Sequence, residues 1–178
     1  MVILGLDPGF ANLGWALLDC SSAQPRCVAG GVIRTKPDRK VARCDDNVRR
    51  CGDLADAINE LHKEHRFAFI AAEAQSWTRH ANADRAVAQA WGVIAALSEF
   101  HGCPVIQMRP QDVKLKISGS RSASKGALQN MLEHQIVDAR KMLQQLAKSQ
   151  QNHASDALAV ALASQSHPLV QTVKRMRG

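Results

Sequence analysis

No two cysteines in this 178-residue sequence have the C-x-x-C spacing of a zinc or thiol-redox site, and the cysteine count is odd. Cys20, Cys27, Cys44, Cys51 and Cys103 therefore read as reduced, mostly buried thiols, neither a metal centre nor a disulfide framework. Nowhere do about eighteen apolar residues run together, as a membrane-spanning helix would need, and no basic stretch precedes an apolar core at the start. A soluble cytoplasmic protein with no membrane partner is expected. Repeats, low-complexity blocks and linker-like stretches are missing too, which points to one domain, residues 1–166. Residues 167–178, with Pro168, Lys174, Arg175 and Arg177, read as a loose basic tail. Acidic residues are in deficit, 16 Asp+Glu against 23 Lys+Arg, for a net charge of +7. A small basic domain suits a polyanionic partner, with nucleic acid the first candidate.

What is present begins with Met1-Val2-Ile3-Leu4-Gly5-Leu6, apolar at five of six positions. Such a run reads as a strand buried on both faces, central in a sheet. Asp7 ends it, and Pro8-Gly9 turns the chain; Pro8 keeps Asp7 out of the helical region, so its carboxylate stands extended at the strand tip. On its own, Asp-Pro-Gly is also an ordinary turn. Residues 14–19 and 27–34 are two further strands, giving an antiparallel meander. Val48, Cys51, Leu54, Ala55, Ile58 and Leu61 then recur at helical spacing. Phe67-Ala68-Phe69-Ile70-Ala71-Ala72 is a second buried strand, and it too ends in an acid, Glu73.

A helix is predicted from about Ala81 to Phe100, and a fifth strand over 104–108. Residues 109–126 form a polar, basic stretch; helical spacing resumes from Leu128 to Leu146 with a break near Val137. Asn152 is a plausible N-cap for a last helix from His153 to about Ser164. The order predicts an α/β fold, a mixed five-stranded sheet flanked by helices, with three antiparallel strands first and two parallel strands after.

Asp7 and Glu73 end two strands apolar enough to be neighbours. His153 and Asp156, three apart, share one face of the last helix, whose remainder (Ala157-Leu158-Ala159-Val160-Ala161-Leu162-Ala163) must be buried. Taken alone, the pair also reads as a surface histidine and a capping acid. Three carboxylates and an imidazole meeting at one point would repel unless a cation shared the space. Oxygen-rich donors with one imidazole suit Mg²⁺ or Mn²⁺.

Ile3-Leu4-Gly5-Leu6-Asp7-Pro8-Gly9 with Gly14 after it, Ala72-Glu73-Ala74-Gln75, and His153-Ala154-Ser155-Asp156-Ala157-Leu158-Ala159 follow one another in a recognisable register. Over essentially its whole length the chain resembles the RuvC-type Holliday junction resolvases, of the ribonuclease H-like nuclease superfamily. The resemblance implies that Asp7, Glu73, His153 and Asp156 are catalytic metal ligands, His153 filling a place held by aspartate in some members. It implies two ions, Mg²⁺ or Mn²⁺, and hydrolysis of DNA to 5′-phosphate and 3′-hydroxyl ends. Lys114 and Lys125 match two lysines that the family uses near the scissile phosphate. Arg109, Lys116 and Arg121 lie in the same basic stretch, which on its own also reads as a solvated loop.

In the family, the loop after the glutamate carries an aromatic that stacks on bases at the crossover. Trp77, with Arg79 beside it, is the candidate here, one place later than usual. Residues 126–152 look longer than in typical bacterial members, which would suit a phage-encoded relative. Resolution of a two-fold symmetric junction implies a homodimer, formed in the family through the helix corresponding to 81–100, where Ala83, Ala86, Ala90 and Ala95 would permit close approach. The setting implied is cytoplasmic and nucleoid-associated; protein partners, branch-migration machinery among them, leave no legible motif. Three alternatives remain: an ATPase of the actin and sugar-kinase superfamily, for which 178 residues leave no room, a non-catalytic protein that binds branched DNA, and a nuclease for other branched or flapped DNA.

Overall fold

The computed structural model describes residues 1–74 and 81–177. Five strands, β1 (Val2–Asp7), β2 (Asn12–Asp19), β3 (Arg26–Arg34), β4 (Phe69–Glu73) and β5 (Val105–Met108), form one sheet in the order β3-β2-β1-β4-β5. The first three are antiparallel, whereas β4 runs parallel to β1 and β5 parallel to β4. This is the expected mixed sheet, and the apolar β1 is its middle strand.

Seven helices cover the described sheet: α1 (Arg43–His65), α2 (Ala81–His101), α3 (Pro110–Ser118), α4 (Lys125–Gln135), α5 (Ala139–Gln145), α6 (Lys148–Ser164) and α7 (Pro168–Arg177). Side chains of a strand alternate between faces, and the buried residues sort accordingly. Leu4, Leu6, Ile70 and Ala72 pack with Leu54 and Ile58 of α1 and Ala90 and Ile94 of α2. Ile3, Phe69, Ala71 and Ile106 pack on the other side, with Ala157, Leu158 and Ala161 of α6, Val113 of α3 and Leu132 of α4. By the same alternation, Asp7 and Glu73 both fall on the α6 side.

α6 lies directly on the sheet because two glycines let it. A Cβ on Gly5 would stand 2.0 Å from the Ala157 carbonyl oxygen, and one on Gly14 would stand 2.4 Å from that of His153. No side chain fits at either position, so the helix backbone rests on the strand backbone.

Three expectations need correction. α6 starts at Lys148 after Ala147, so Asn152 lies inside the helix and His153 and Asp156 sit in its second and third turns. Part of the polar stretch after β5 is helical: α3 starts at Pro110 and buries only Val113 and Ile117, one turn apart. The supposed loose tail is α7, whose Val170 is fully buried in the core, while Lys174 donates to the Gln165 side chain at 2.9 Å. The break near Val137 is present between α4 and α5, and Asp138 there is left-handed, with φ 63°. All five cysteines are free; Cys20, Cys27 and Cys103 are buried, and burial pushes the Cys27 thiol up to about 12.

Candidate active site

Leu6 of β1 pairs with Ala72 of β4, so one residue further on Asp7 and Glu73 end adjacent parallel strands. α6 crosses above them. His153 lies over Gly14, the register partner of Asp7, and its Nδ1 is 2.6 Å from Asp7 Oδ2. Asp156, one turn along the same face, stands 3.6 Å from Lys125 Nζ through Oδ2.

Lys125 owes its position to a helix cap. Ser124 is extended and its hydroxyl accepts from the Ala127 N–H at 3.2 Å, which starts α4 with Lys125 as its first residue. From α3, Lys114 joins Lys125, Glu73 and Asp156 around a cleft of about 240 Å³ floored by Val113 and Leu128.

Electrostatics mark this cleft as a place of unbalanced negative charge. Burial, with the charges of Asp7 and Asp156 added, pushes the Glu73 carboxyl up to about 7, against the pull of Lys125 and Lys114. Burial also raises Asp156; Lys125 pulls it back, Asp7 raises it further, and His153 pulls it down. Among the described residues no three His, Cys, Asp or Glu side chains stand in a ready ligating arrangement; Asp7 is engaged by His153 and Asp156 by Lys125. The chemistry of the donors nonetheless suits a divalent cation: Glu73 and Asp156, both raised by burial and by the charge of Asp7, with Asp7 itself at hydrogen-bond distance from one imidazole.

The other basic residues divide. Lys116, two residues from Lys114 and therefore on another face of α3, donates to Ser166 Oγ at 2.5 Å. It lines a cavity of about 690 Å³ between the β2–β3 turn, α3 and the end of α6, with no acid in its lining. Arg109 Nε is 2.7 Å from Asp112 Oδ2 and Arg121 Nη2 is 4.0 Å from Asp112 Oδ1, so both flank the start of α3 through one acid. That bridging role of Asp112 was not anticipated, although its i,i+3 spacing from Arg109 signals it. Gly5 was likewise missed as a positioning residue. Trp77 and Arg79 lie outside the described residues.

A five-stranded mixed sheet whose central strand and parallel neighbour end in acids, met by a carboxylate from a helix across that face, defines the ribonuclease H-like class of nuclease. Within that class, residues 3–164 match the model of the family described as crossover junction endodeoxyribonuclease RuvC. The protein from Gloeobacter violaceus bearing that description is 31% identical over 170 residues, 95% of this chain and 90% of the relative. One from Moorella thermoacetica is 30% identical over 179 residues, 100% of this chain and 99% of the relative. Among solved structures, T. thermophilus RuvC in complex with Holliday junction substrate superposes with a TM-score of 0.75 at 26% identity, covering 92% of each chain. The chain belongs to the RuvC family of crossover junction endodeoxyribonucleases.

Proposed function

We propose that the protein is a metal-dependent endonuclease that resolves Holliday junctions by paired, symmetric nicks, leaving 5′-phosphate and 3′-hydroxyl ends. The observation that carries this reading is the cleft where Glu73 and Asp156 meet Lys125 and Lys114, with the charge of Asp7 close enough to act on both acids, in a chain of the RuvC family. Nucleases of this family are metal-dependent. Here the ligands would be Asp7, Glu73, Asp156 and His153, and the metal Mg²⁺ or Mn²⁺, two ions per site. Bound there, divalent ions supply Lewis-acid stabilisation of the charge that develops on the phosphate oxygens.

The protein's own groups prepare the rest. A phosphodiester entering the cleft meets acids at its base and two ammonium groups at its rim, so the backbone is held by Lys114 and Lys125 while the carboxylates face the scissile phosphorus. His153 fixes the orientation of Asp7 through the 2.6 Å contact. Arg109 and Arg121 extend the positive rim, and Trp77 with Arg79 complete the proposal as the base-stacking and phosphate-holding members of the loop after Glu73. A homodimer through α2 would supply the second site that a symmetric junction requires; the cytoplasm, near the nucleoid, is the setting.

The test is cleavage of matched four-way, Y-shaped and linear duplex DNA with and without Mg²⁺ or Mn²⁺. Metal-dependent paired nicks in the four-way substrate are expected, and Asp7→Asn should abolish them while sparing junction binding in a gel shift. Equal cutting of linear duplex, or cutting that survives chelation, would overturn the reading.

A further inference from the structure

On the α1 and α2 side of the turn that follows Asp7 lies a second basic hollow, about 360 Å³, which plays no part in the chemistry above. It is bounded by Phe10 of that turn, the segment after β3, the start of α1 and the first turns of α2. Its lining carries four arginines, Arg39, Arg43, Arg50 and Arg85, against two acids, Asp38 and Asp46. The acids are already engaged. Asp46 Oδ1 accepts from Arg49 at 2.6 and 3.0 Å and from the Asp38 N–H at 3.2 Å, and Asp38 Oδ1 accepts from the Lys40 N–H at 2.8 Å.

Arg50 makes this more than a charged surface. It is only 8% exposed, and among the described residues every hydrogen bond it makes goes to a neutral oxygen. Nε donates to Thr35 Oγ1 at 2.9 Å, and Nη2 reaches the Phe10 and Thr35 carbonyls at 3.5 Å. Its guanidinium lies 4.2 Å from the centre of the Phe10 ring. The Thr35 hydroxyl is itself tied to the Phe10 carbonyl at 2.5 Å, so the whole assembly is rigid. Among the described residues Nη1 has no hydrogen-bond partner, and since the other donors face the protein, Nη1 is the one Arg50 offers to the hollow. The nearest acid whose charge it feels, Asp46, is hydrogen-bonded by Arg49 instead, and a buried cation without a hydrogen-bonded carboxylate is costly. An anion in the hollow would complete it, and a guanidinium fork is suited to phosphate oxygens.

We infer that this hollow is a second phosphodiester-binding site, in which Arg50, Arg43 and Arg85 grip the DNA backbone away from the scissile phosphate. The inference rests on the junction-resolving reading. The turn 8–11 ties the two sites together: Asp7 stands on one side of it and Phe10, with Arg50 stacked on its ring, on the other. A junction strand leaving the catalytic cleft is therefore the anion nearest to hand. The site would orient the junction arm, and so position the cut, without touching the reacting atoms.

Binding of a labelled four-way junction is measured against salt concentration in chelator, where nothing is cut, for wild type, Arg43→Ala, Arg85→Ala, the double variant and Arg50→Met. Arg43 and Arg85 are exposed, so their removal should leave the melting temperature unchanged. Each single alanine should flatten the slope of log affinity against log salt by about one counterion and weaken binding about fivefold at 0.1 M salt, the double variant by about two counterions. Repeating the titration with junctions carrying one neutral methylphosphonate at successive positions should find a phosphate whose neutralisation weakens wild type but not the double variant. That phosphate should lie outside the cleaved linkage. Wild-type slopes in both exposed-arginine variants, or a sensitive phosphate at the cut itself, would overturn the inference. Failure of the wild-type protein to prefer the four-way junction would instead overturn the functional reading on which it rests.

Discussion

Glu73 is the residue at which the cost of gathering acids is concentrated. Its folded pKa, raised from 4.5 to about 7 by burial and by Asp7 and Asp156, means that the metal-free fold binds a proton there more tightly than the unfolded chain does. Its contribution to stability is therefore greatest below about pH 4.5 and is lost as pH rises through about 7. Glu73→Gln removes that dependence: its melting temperature in chelator should exceed that of wild type by a margin that grows between pH 5 and 8. Mg²⁺ should raise the wild-type midpoint most above pH 7 and that of the variant little. An equal margin at every pH would mean that Glu73 carries no such strain. His153 bears on the same balance from the other side, because its ring adds no negative charge next to Asp7. In His153→Asp a fourth carboxylate replaces it. Metal-free stability should fall, the stabilisation by Mg²⁺ should increase, and the ratio of nicking rates in Mn²⁺ and Mg²⁺ should shift toward Mg²⁺, since an imidazole is the softer ligand. Unchanged melting curves and an unchanged rate ratio would place His153 outside the ligand set.

Among the elements, α6 decides whether the site exists, because the strands bring two acids and only the helix brings the third. Its seat depends on Gly5 and Gly14, where a methyl group would meet carbonyl oxygens at 2.0 and 2.4 Å. Backbone cannot move aside as a flexible side chain can. Gly14→Ala should therefore lift the start of α6, separate His153 from Asp7, destabilise the fold by about 1–3 kcal/mol, and reduce cleavage more than junction binding. Urea denaturation and single-turnover nicking measure the two effects; full activity with unaltered stability would show that the helix is not so constrained. The central strands and the two acids at their tips were legible in the sequence because buried parallel strands write themselves as apolar runs. The seat of α6 was not, since a missing side chain signals close approach only once its neighbour is known. Its true start was hidden for a related reason: Lys148-Ser149-Gln150-Gln151-Asn152 has no apolar period because that turn faces outward. α3 and α7 were missed on the same grounds, as each buries a residue or two beneath an otherwise polar, basic face.

At the scale of the whole molecule, one chain holds one cleft, and two symmetric nicks need two. α2 offers a surface for pairing that only partly coincides with the one expected. Ala90, with Ile94 and Leu97, faces its own sheet, and Ala86 is half buried there. Ala83 and Ala95 are exposed as expected, and Ala88, Gly92 and Ala96 join Ala95 in a stripe at helical spacing that ends near Phe100, itself 79% exposed. A side chain added at Gly92 would meet nothing within 4 Å in the chain, and replacing glycine inside a helix gains about 0.5–1 kcal/mol. Gly92→Arg is thus harmless to the isolated subunit, while at a two-fold interface it would bring two like charges face to face where backbones must approach. In sedimentation the variant should be a monomer with a melting temperature at low concentration no lower than that of wild type. On a four-way junction it should leave single, uncoordinated nicks in place of paired ones, because the cleft of each subunit is intact and only its geometric relation to a second is lost. A Gly92→Arg protein that still sediments as a dimer and still cuts in pairs would move the interface off α2.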